Sequence, residues 1–302
     1  MFLSVMAVFL IYATIFILFE DYDRHVIQPL TEENDWHLLW FSMVVMLLLG
    51  FLLHRYSRRM DRRIKREQAL RQTAMRRELT QNIAHELKTP VASIMGYAET
   101  LMDNPQLPEA TRQQFIHRTH EQARRLAALL QNISTLNRMD FAPEQVTMEE
   151  VDLSALVADI VREAQPRLER RGMQLVNQMP ESVRLMGNTQ LLYSIFVNLI
   201  DNAISYAGQH TTVTLTTQRQ GHVWHFCFSD NGNGVPTEHL PRLFERFYRV
   251  DKGRSRETGG TGLGLAIVKN AVILHGGNIH AAVGAGGHGL SFRFTLRGAI
   301  VE

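Results

Sequence analysis

Residues 1–19, MFLSVMAVFLIYATIFILF, carry no charge, and this run constrains the chain more than any other. Nineteen helical residues rise about 28 Å, close to the roughly 30 Å hydrocarbon core of a bilayer. A second uncharged run, Leu38–Leu53, is extended by Trp36 and His37, and Trp36, Trp40 and Tyr56 suit interfacial depths. Between the two runs lie Glu20, Asp21, Asp23, Glu32, Glu33 and Asp35 against a single Arg24. Directly after the second run Arg55, Arg58, Arg59, Arg62, Arg63, Lys65 and Arg66 face only Asp61. Basic residues concentrate on the cytoplasmic side of a membrane. Residues 1–19 and 36–54 are therefore expected as transmembrane helices, 20–35 as a short extracytoplasmic loop, and the rest as cytoplasmic. The first run lacks the basic start and small-residue cleavage site of a signal peptide. A loop of sixteen residues cannot bury a core, so no extracytoplasmic ligand-binding domain is expected. A stimulus would then be read within the lipid bilayer or through a membrane accessory protein.

The 302 residues allow about two domains, and the net charge of +2 excludes nothing by itself. The single cysteine, Cys227, cannot form an internal disulfide; it lies in the apolar run HVWHFCFSD, which reads as a reduced, buried cysteine of a cytosolic domain.

Past the basic juxtamembrane segment, 55–72, helix formers continue through the stretch NIAHELKTP, Asn82–Pro90. Ile83, Leu87, Val91, Ile94 and Leu101 recur at helical steps and form one apolar stripe. His85 stands about 200° around the helix from Ile83, so its imidazole faces water, as a nucleophile must. Glu86 beside it can take the ring proton, and Pro90 is expected to kink the helix. DNPQLPE, Asp103–Glu109, supplies a turn, and a second helix follows with Ile116, Ala123 and Leu130 seven apart and Leu126 and Ile133 between them. One stripe on each of two helices does not close a core; two such hairpins do, as a four-helix bundle, so 73–140 is expected to form a homodimer, the alternative being a hairpin packed on the C-terminal domain.

After a linker, 141–150, the pattern changes to helices alternating with GMQLVNQ, SVRLMG, TTVTLTTQ, HVWHFCFSD and SFRFTL, which reads as an α/β sandwich over 151–302. VNLIDNAISYA places Asn198 and Asn202 on one helical face, where paired amides can meet a metal and phosphate. DNGNGVP ends a strand on Asp230, an acceptor for an exocyclic amine, followed by Gly232 and Gly234. LFERFYRVD offers Arg246 and Arg249 to terminal phosphate charge. ETGGTGLGLAIVK sets Gly259, Gly260, Gly262 and Gly264 before a helix whose N-terminus can hold phosphates.

Taken together and in this order, these segments resemble the sensor histidine kinases of bacterial two-component systems over about residues 70–298. NIAHELKTP is similar to their phosphoacceptor box, and the later four to their asparagine, first glycine, phenylalanine and second glycine boxes. The resemblance implies a dimeric helical-hairpin bundle followed by the ATP-binding sandwich of the gyrase, Hsp90 and histidine-kinase type. It implies ATP as phosphoryl donor with Mg²⁺, a cytoplasmic response regulator as partner, an inner-membrane location and no direct nucleic-acid contact. His85 would be autophosphorylated, Glu86 would be its general base, and Thr89 would orient water when the regulator is dephosphorylated. Asn202 would hold Mg²⁺, Asn198 would lie beside the phosphates, and Asp230 would read the adenine amino group. Tyr206, Gly232 and Gly234 would line the nucleotide pocket. Gly260, Thr261, Gly262, Leu263 and Gly264 would form the lid hinge and phosphate loop, and Arg249 would contact the transferring phosphate. Phe244 and Phe247 would pack that segment. Two features depart from the pattern. Ser205 stands where many relatives carry lysine, and about 27 residues separate the second span from the His85 box, too few for a parallel-bundle relay.

Overall fold

A computed structural model of the chain describes residues 35–250 and 260–297, so the first expected span, most of the loop after it and Gly259 lie outside the described residues. The chain divides into two compact units, Met1–Glu78 and Leu79–Glu302. In the first, the described backbone is the opening part of helix α1, Asp35–Asp103. There Trp40, Leu47, Leu48, Phe51 and Tyr56 are each more than half accessible. Among the described residues no helix is long and apolar enough to cross a membrane; side chains of the second expected span, 36–54, are described only in part.

In the second unit α1 ends at Asp103 and is followed, after the Pro105–Pro108 turn, by α2, Glu109–Phe141. Pro90, where the sequence suggests a kink, sits buried inside continuous helix. Its missing N–H removes only one intrahelical bond, to the Glu86 carbonyl, and the turns on either side keep theirs. The expected stripes are covered unevenly. Ile83, Leu87, Ile94 and Leu101 are half-buried, whereas Val91, Ile116, Ala123 and Leu130 are exposed on the single chain. The residues of α2 that do reach the core are Leu129, Leu136 and Met139, with Leu87 and Ile133 packed against them.

The remainder is a layered α/β unit. Strand β1, Glu149–Asp152, pairs antiparallel with β3, Arg184–Gly187. The five-stranded sheet runs β2, β4, β5, β7, β6, comprising Gln174–Gln178, Thr212–Gln220, Val223–Asp230, Leu290–Arg297 and Ile279–Val283. Only the β2–β4 pair is parallel. Helices α3, Leu153–Glu169, α4, Thr189–Tyr206, and α5, Gly264–Leu274, bury their apolar stripes in the same core. Phe226 and Phe294 stack at 4.9 Å between ring centroids on neighbouring strands, and Phe196 of α4 meets both edge-on at 6.0 Å. Asp152 and Asn188 start α3 and α4 by accepting the backbone N–H of Ala155 and Leu191, each at 3.0 Å. Two strands, β1 and β6, were not expected, and β1 begins inside the expected linker 141–150. Cys227, expected to be buried, is half-buried in β5.

The cap on α4 has a buried support. His275, 4% accessible, donates from Nδ1 to the Ala271 carbonyl at 2.7 Å and accepts the Asn188 N–H on Nε2 at 3.0 Å. That pattern requires the neutral ring, and burial lowers its pKa from the ordinary histidine value. On acidification the unfolded chain takes up this proton first, so stability is full above about pH 6.5 and falls as pH drops from there. His275→Ala is expected to cost about 2 kcal/mol and to flatten that acid limb, read from urea unfolding at pH 7.5 and 5.5. An unchanged limb would show that another group carries it.

Candidate functional site

Helix α4 builds one wall of the site. Its buried positions, Leu192, Ile195, Phe196, Leu199, Ile200 and Ala203, leave Asn198, Asn202 and Tyr206 four apart along one border of the apolar stripe. Asn198 turns its Nδ2 back to the Ser194 carbonyl at 2.7 Å. Asn202 is half-buried, and no described residue hydrogen-bonds its amide. A free amide oxygen on a helix is a suitable hard ligand, so the position fits Mg²⁺ held jointly with phosphate oxygens.

The glycine segment lies directly against this face. A side chain at Gly264 would come within 2.5 Å of Asn198 Oδ1, and one at Gly260 within 2.5 Å of the Tyr206 hydroxyl. Gly262 has φ +71°, and its carbonyl accepts the Phe247 N–H at 2.8 Å. A Cβ there would press on the Phe247 backbone at 2.8 Å, so glycine is required both by φ and by space. Thr261 Oγ1 accepts the Leu263 N–H at 3.4 Å, and Leu263 is fully buried where α5 starts. The first N–H groups of α5 thereby open beside Asn198.

At the far end of α4 the chain meets the turn after β5. Asp230, 7% accessible, accepts on Oδ1 from the N–H of Gly232 at 2.9 Å and of Leu290 at 3.4 Å. Burial raises its pKa above the ordinary aspartate value, partly offset by those N–H donors. No described residue donates to Oδ2, which leaves it for a ligand. Gly234 and Gly289 complete this turn: a Cβ on Gly289 would lie 1.9 Å from the Asp230 carbonyl, and one on Gly234 would lie 2.8 Å from the Gly289 carbonyl. Gly289 did not enter the sequence reading; the run GAGGHG ahead of the last strand was its only signal.

The second wall comes from the hairpin. His85 is exposed on α1, and its carbonyl accepts from Thr89 Oγ1 at 3.4 Å. Glu86, 27% accessible, lies 3.5 Å from Arg249 Nη2. Arg249 is only 9% accessible, and its Nη2 has no hydrogen-bond partner among the described residues. The Glu86 carboxylate balances its charge without a well-formed hydrogen bond, so the nitrogen keeps a donor for a second, closer anion. Arg246, which the sequence offers to phosphate alongside Arg249, instead reaches both carboxylate oxygens of Asp140, at 2.8 and 2.6 Å. Phe244 and Phe247 pack against the core, Phe244 edge-on to Phe292 at 6.1 Å. Ser205 is half-buried in the last turn of α4.

Comparison with known proteins places this geometry. Residues 75–141 match the His Kinase A phospho-acceptor domain, and residues 187–300 match the histidine kinase-, DNA gyrase B- and HSP90-like ATPase domain. The chain belongs to the sensor histidine kinases of bacterial two-component systems. It is 33% identical over 218 residues to the sensor protein VanS of Enterococcus faecium, covering 72% of this chain and 56% of VanS. It is 34% identical over 209 residues to the sensor-like histidine kinase SenX3 of Mycolicibacterium smegmatis, covering 69% and 54%. With the phosphate regulon sensor PhoR of Pseudomonas aeruginosa the figures are 36% over 201 residues, 67% and 45%. The chain thus spans about half the length of these curated relatives. Among solved structures, the Acinetobacter baumannii histidine kinase AdeS superposes with TM-score 0.59 at 22% identity, covering 72% of this chain and 98% of AdeS. Histidine kinase ThkA, solved in complex with the response regulator TrrA, superposes with TM-score 0.59 at 19% identity, covering 74% and 61%. These two likenesses concern the fold alone.

Proposed function

We propose that this protein transfers the γ-phosphoryl group of ATP to its own His85 and then to an aspartate of a cytoplasmic response regulator, which it also dephosphorylates. The observation that carries the reading is Arg249, its side chain only 9% accessible, its Nη2 short of a hydrogen bond and 3.5 Å from Glu86, the residue next to His85. A cation in that condition suits an incoming phosphoryl group whose equatorial charge grows during transfer.

In this reading Asp230 binds the adenine amino group, and Gly232, Gly234 and Tyr206 line the pocket. Asn198 and the loop Gly260–Gly264 hold phosphates at the N-terminus of α5. Mg²⁺, held by Asn202, offsets phosphate charge when bound. Glu86 leaves Arg249 as the phosphate arrives and accepts the His85 ring proton, so the imidazole nitrogen can attack in line. Thr89, exposed one turn further along the helix, orients a water against the regulator's phosphoaspartate. The exposed Val91, Met95, Ile116 and Leu130 support a homodimer in which a second hairpin covers them. Exposed apolar side chains from Trp40 to Tyr56, followed by exposed arginines at 55, 58, 59, 62 and 63, support an inner-membrane location with the catalytic parts in the cytoplasm. In the same reading 73–140 is the phosphotransfer hairpin and 151–302, with β1 starting just ahead of it at Glu149, the nucleotide-binding part. A stimulus is read in the bilayer or through a membrane partner.

The test is to incubate the 302-residue chain with γ-labelled ATP and treat the product with acid and with alkali. Label that survives alkali and is released by acid is the expected phosphohistidine. ATP hydrolysis with no labelled protein would replace this reading with that of a nucleotide-driven switch.

A further inference from the structure

We infer that Asp140 is a positioning residue for phosphoryl transfer: it clasps Arg246 and Asn270 and so holds Arg249 at the His85 helix. Its activity readout rests on the kinase reading above. Asp140 is the penultimate residue of α2. Besides the two contacts from Arg246 Nη2, its Oδ1 accepts from Asn270 Nδ2 at 3.1 Å. Arg246 belongs to the segment after the Thr237–Arg242 turn, and Asn270 to α5. One carboxylate on the hairpin therefore ties two separate elements of the nucleotide-binding part.

Two features make this more than a solvated surface pair. The side chains of Asp140 and Arg246 are 24% and 30% accessible, and the neighbouring Met139 is buried at 6% together with Leu136. The apolar contact supplies adhesion without direction. Charge-assisted hydrogen bonds supply direction, and here they fix the register of the docked faces. The effect passes to Arg249 through a short, stiff stretch of backbone. Arg246 and Arg249 are three residues apart, and between them the Phe247 N–H is held by Gly262 at 2.8 Å and the Tyr248 N–H by Glu245 at 3.3 Å. Wherever Asp140 sets Arg246, Arg249 follows, and in this arrangement it meets Glu86. If Arg246 were instead a phosphate ligand, as its place in the sequence suggests, removing Asp140 would free it and tighten ATP binding.

The experiment uses the detergent-solubilised 302-residue chain with Asp140→Asn, Arg246→Gln, the double variant and Asp140→Glu. Expected are saturated labelling rates lowered about ten- to a hundredfold in both single variants. The ATP Kd should stay within about twofold, the double variant should be no slower than the slower single one, and Asp140→Glu should recover most of the rate. A parent-like rate, a raised rate, an ATP Kd that moves in step with the rate, or multiplicative loss in the double variant would overturn the inference. Hydrogen exchange judges the clasp without any labelling: Asp140→Asn should speed amide exchange in Leu243–Val250 at least about fivefold. Unchanged exchange there refutes the clasp, whereas an unlabelled parent chain with faster exchange in the variant refutes only the kinase reading.

Discussion

A chain with Gln at position 85 is expected to take up no acid-labile phosphate from γ-labelled ATP while binding ATP as tightly as the parent. His85 is exposed and no described residue hydrogen-bonds its ring, so exchanging it removes chemistry without removing packing. Glutamine is a slightly better helix former, and its amide nitrogen is no nucleophile; stability should move by less than about 0.5 kcal/mol. The groups nearest in sequence do not substitute. Glu86 and Thr89 sit on the same helix, but a carboxylate would give an alkali-labile acyl phosphate, and an alcohol would give an acid-stable ester. The rate of acid-labile labelling should fall at least about a thousandfold, to background, with the ATP Kd unchanged. Labelling at the parent rate, with the same acid lability, would move the phosphoacceptor elsewhere among the thirteen histidines.

Much of the site was legible because its parts repeat locally. Asn198 and Asn202 stand four apart in a largely apolar helix, and Asp230 closes an alternating strand just where glycines begin. The hairpin stripes were legible as periodicity but not as burial. The Ile116 and Leu130 line is uncovered on one chain, while the line one residue earlier, Leu129 and Leu136, is buried in the common core. Periodicity names a face and leaves open what lies across it. Strand β1 is four residues, EEVD, too short and too charged to alternate, and β6 reads IHAAV, where alanines blur the pattern. The pairings of Asp140 with Arg246 and of Glu86 with Arg249 join residues more than a hundred positions apart, and no local pattern encodes such a contact. His275 was missed for the converse reason: a polar residue after an apolar helix reads as an ordinary helix end until its buried partner, the Asn188 N–H, is seen.

Gly232→Ala is expected to abolish ATP binding and to destabilise the nucleotide-binding part by at least about 3 kcal/mol. An added Cβ would fall 2.0 Å from the Ala207 carbonyl oxygen, 2.6 Å from its carbon and 2.7 Å from its Cα, all backbone atoms that no rotamer change can move. Ala207 caps α4, the helix carrying Asn198 and Asn202, and its carbonyl accepts the Asn233 N–H at 3.0 Å. The contact therefore joins the turn that presents Asp230 to the helix that presents the two asparagines. Relieving the overlap means lifting the turn, which also pulls the Gly232 N–H from Asp230 Oδ1. That N–H is one of the donors opposing the burial-driven rise of the aspartate's pKa, so its loss favours a protonated acid in a displaced turn. Both ends of the expected nucleotide pocket move apart at once. The comparison variant is Gly221→Ala, at the β4–β5 turn, where nothing lies within 4 Å but φ is +61°; it carries backbone strain without overlap and should cost only about 1 kcal/mol. Urea unfolding and equilibrium ATP binding of the two variants separate the effects: a Gly232→Ala chain that unfolds like Gly221→Ala and still binds ATP would show that the turn and α4 are not packed as tightly as this geometry requires.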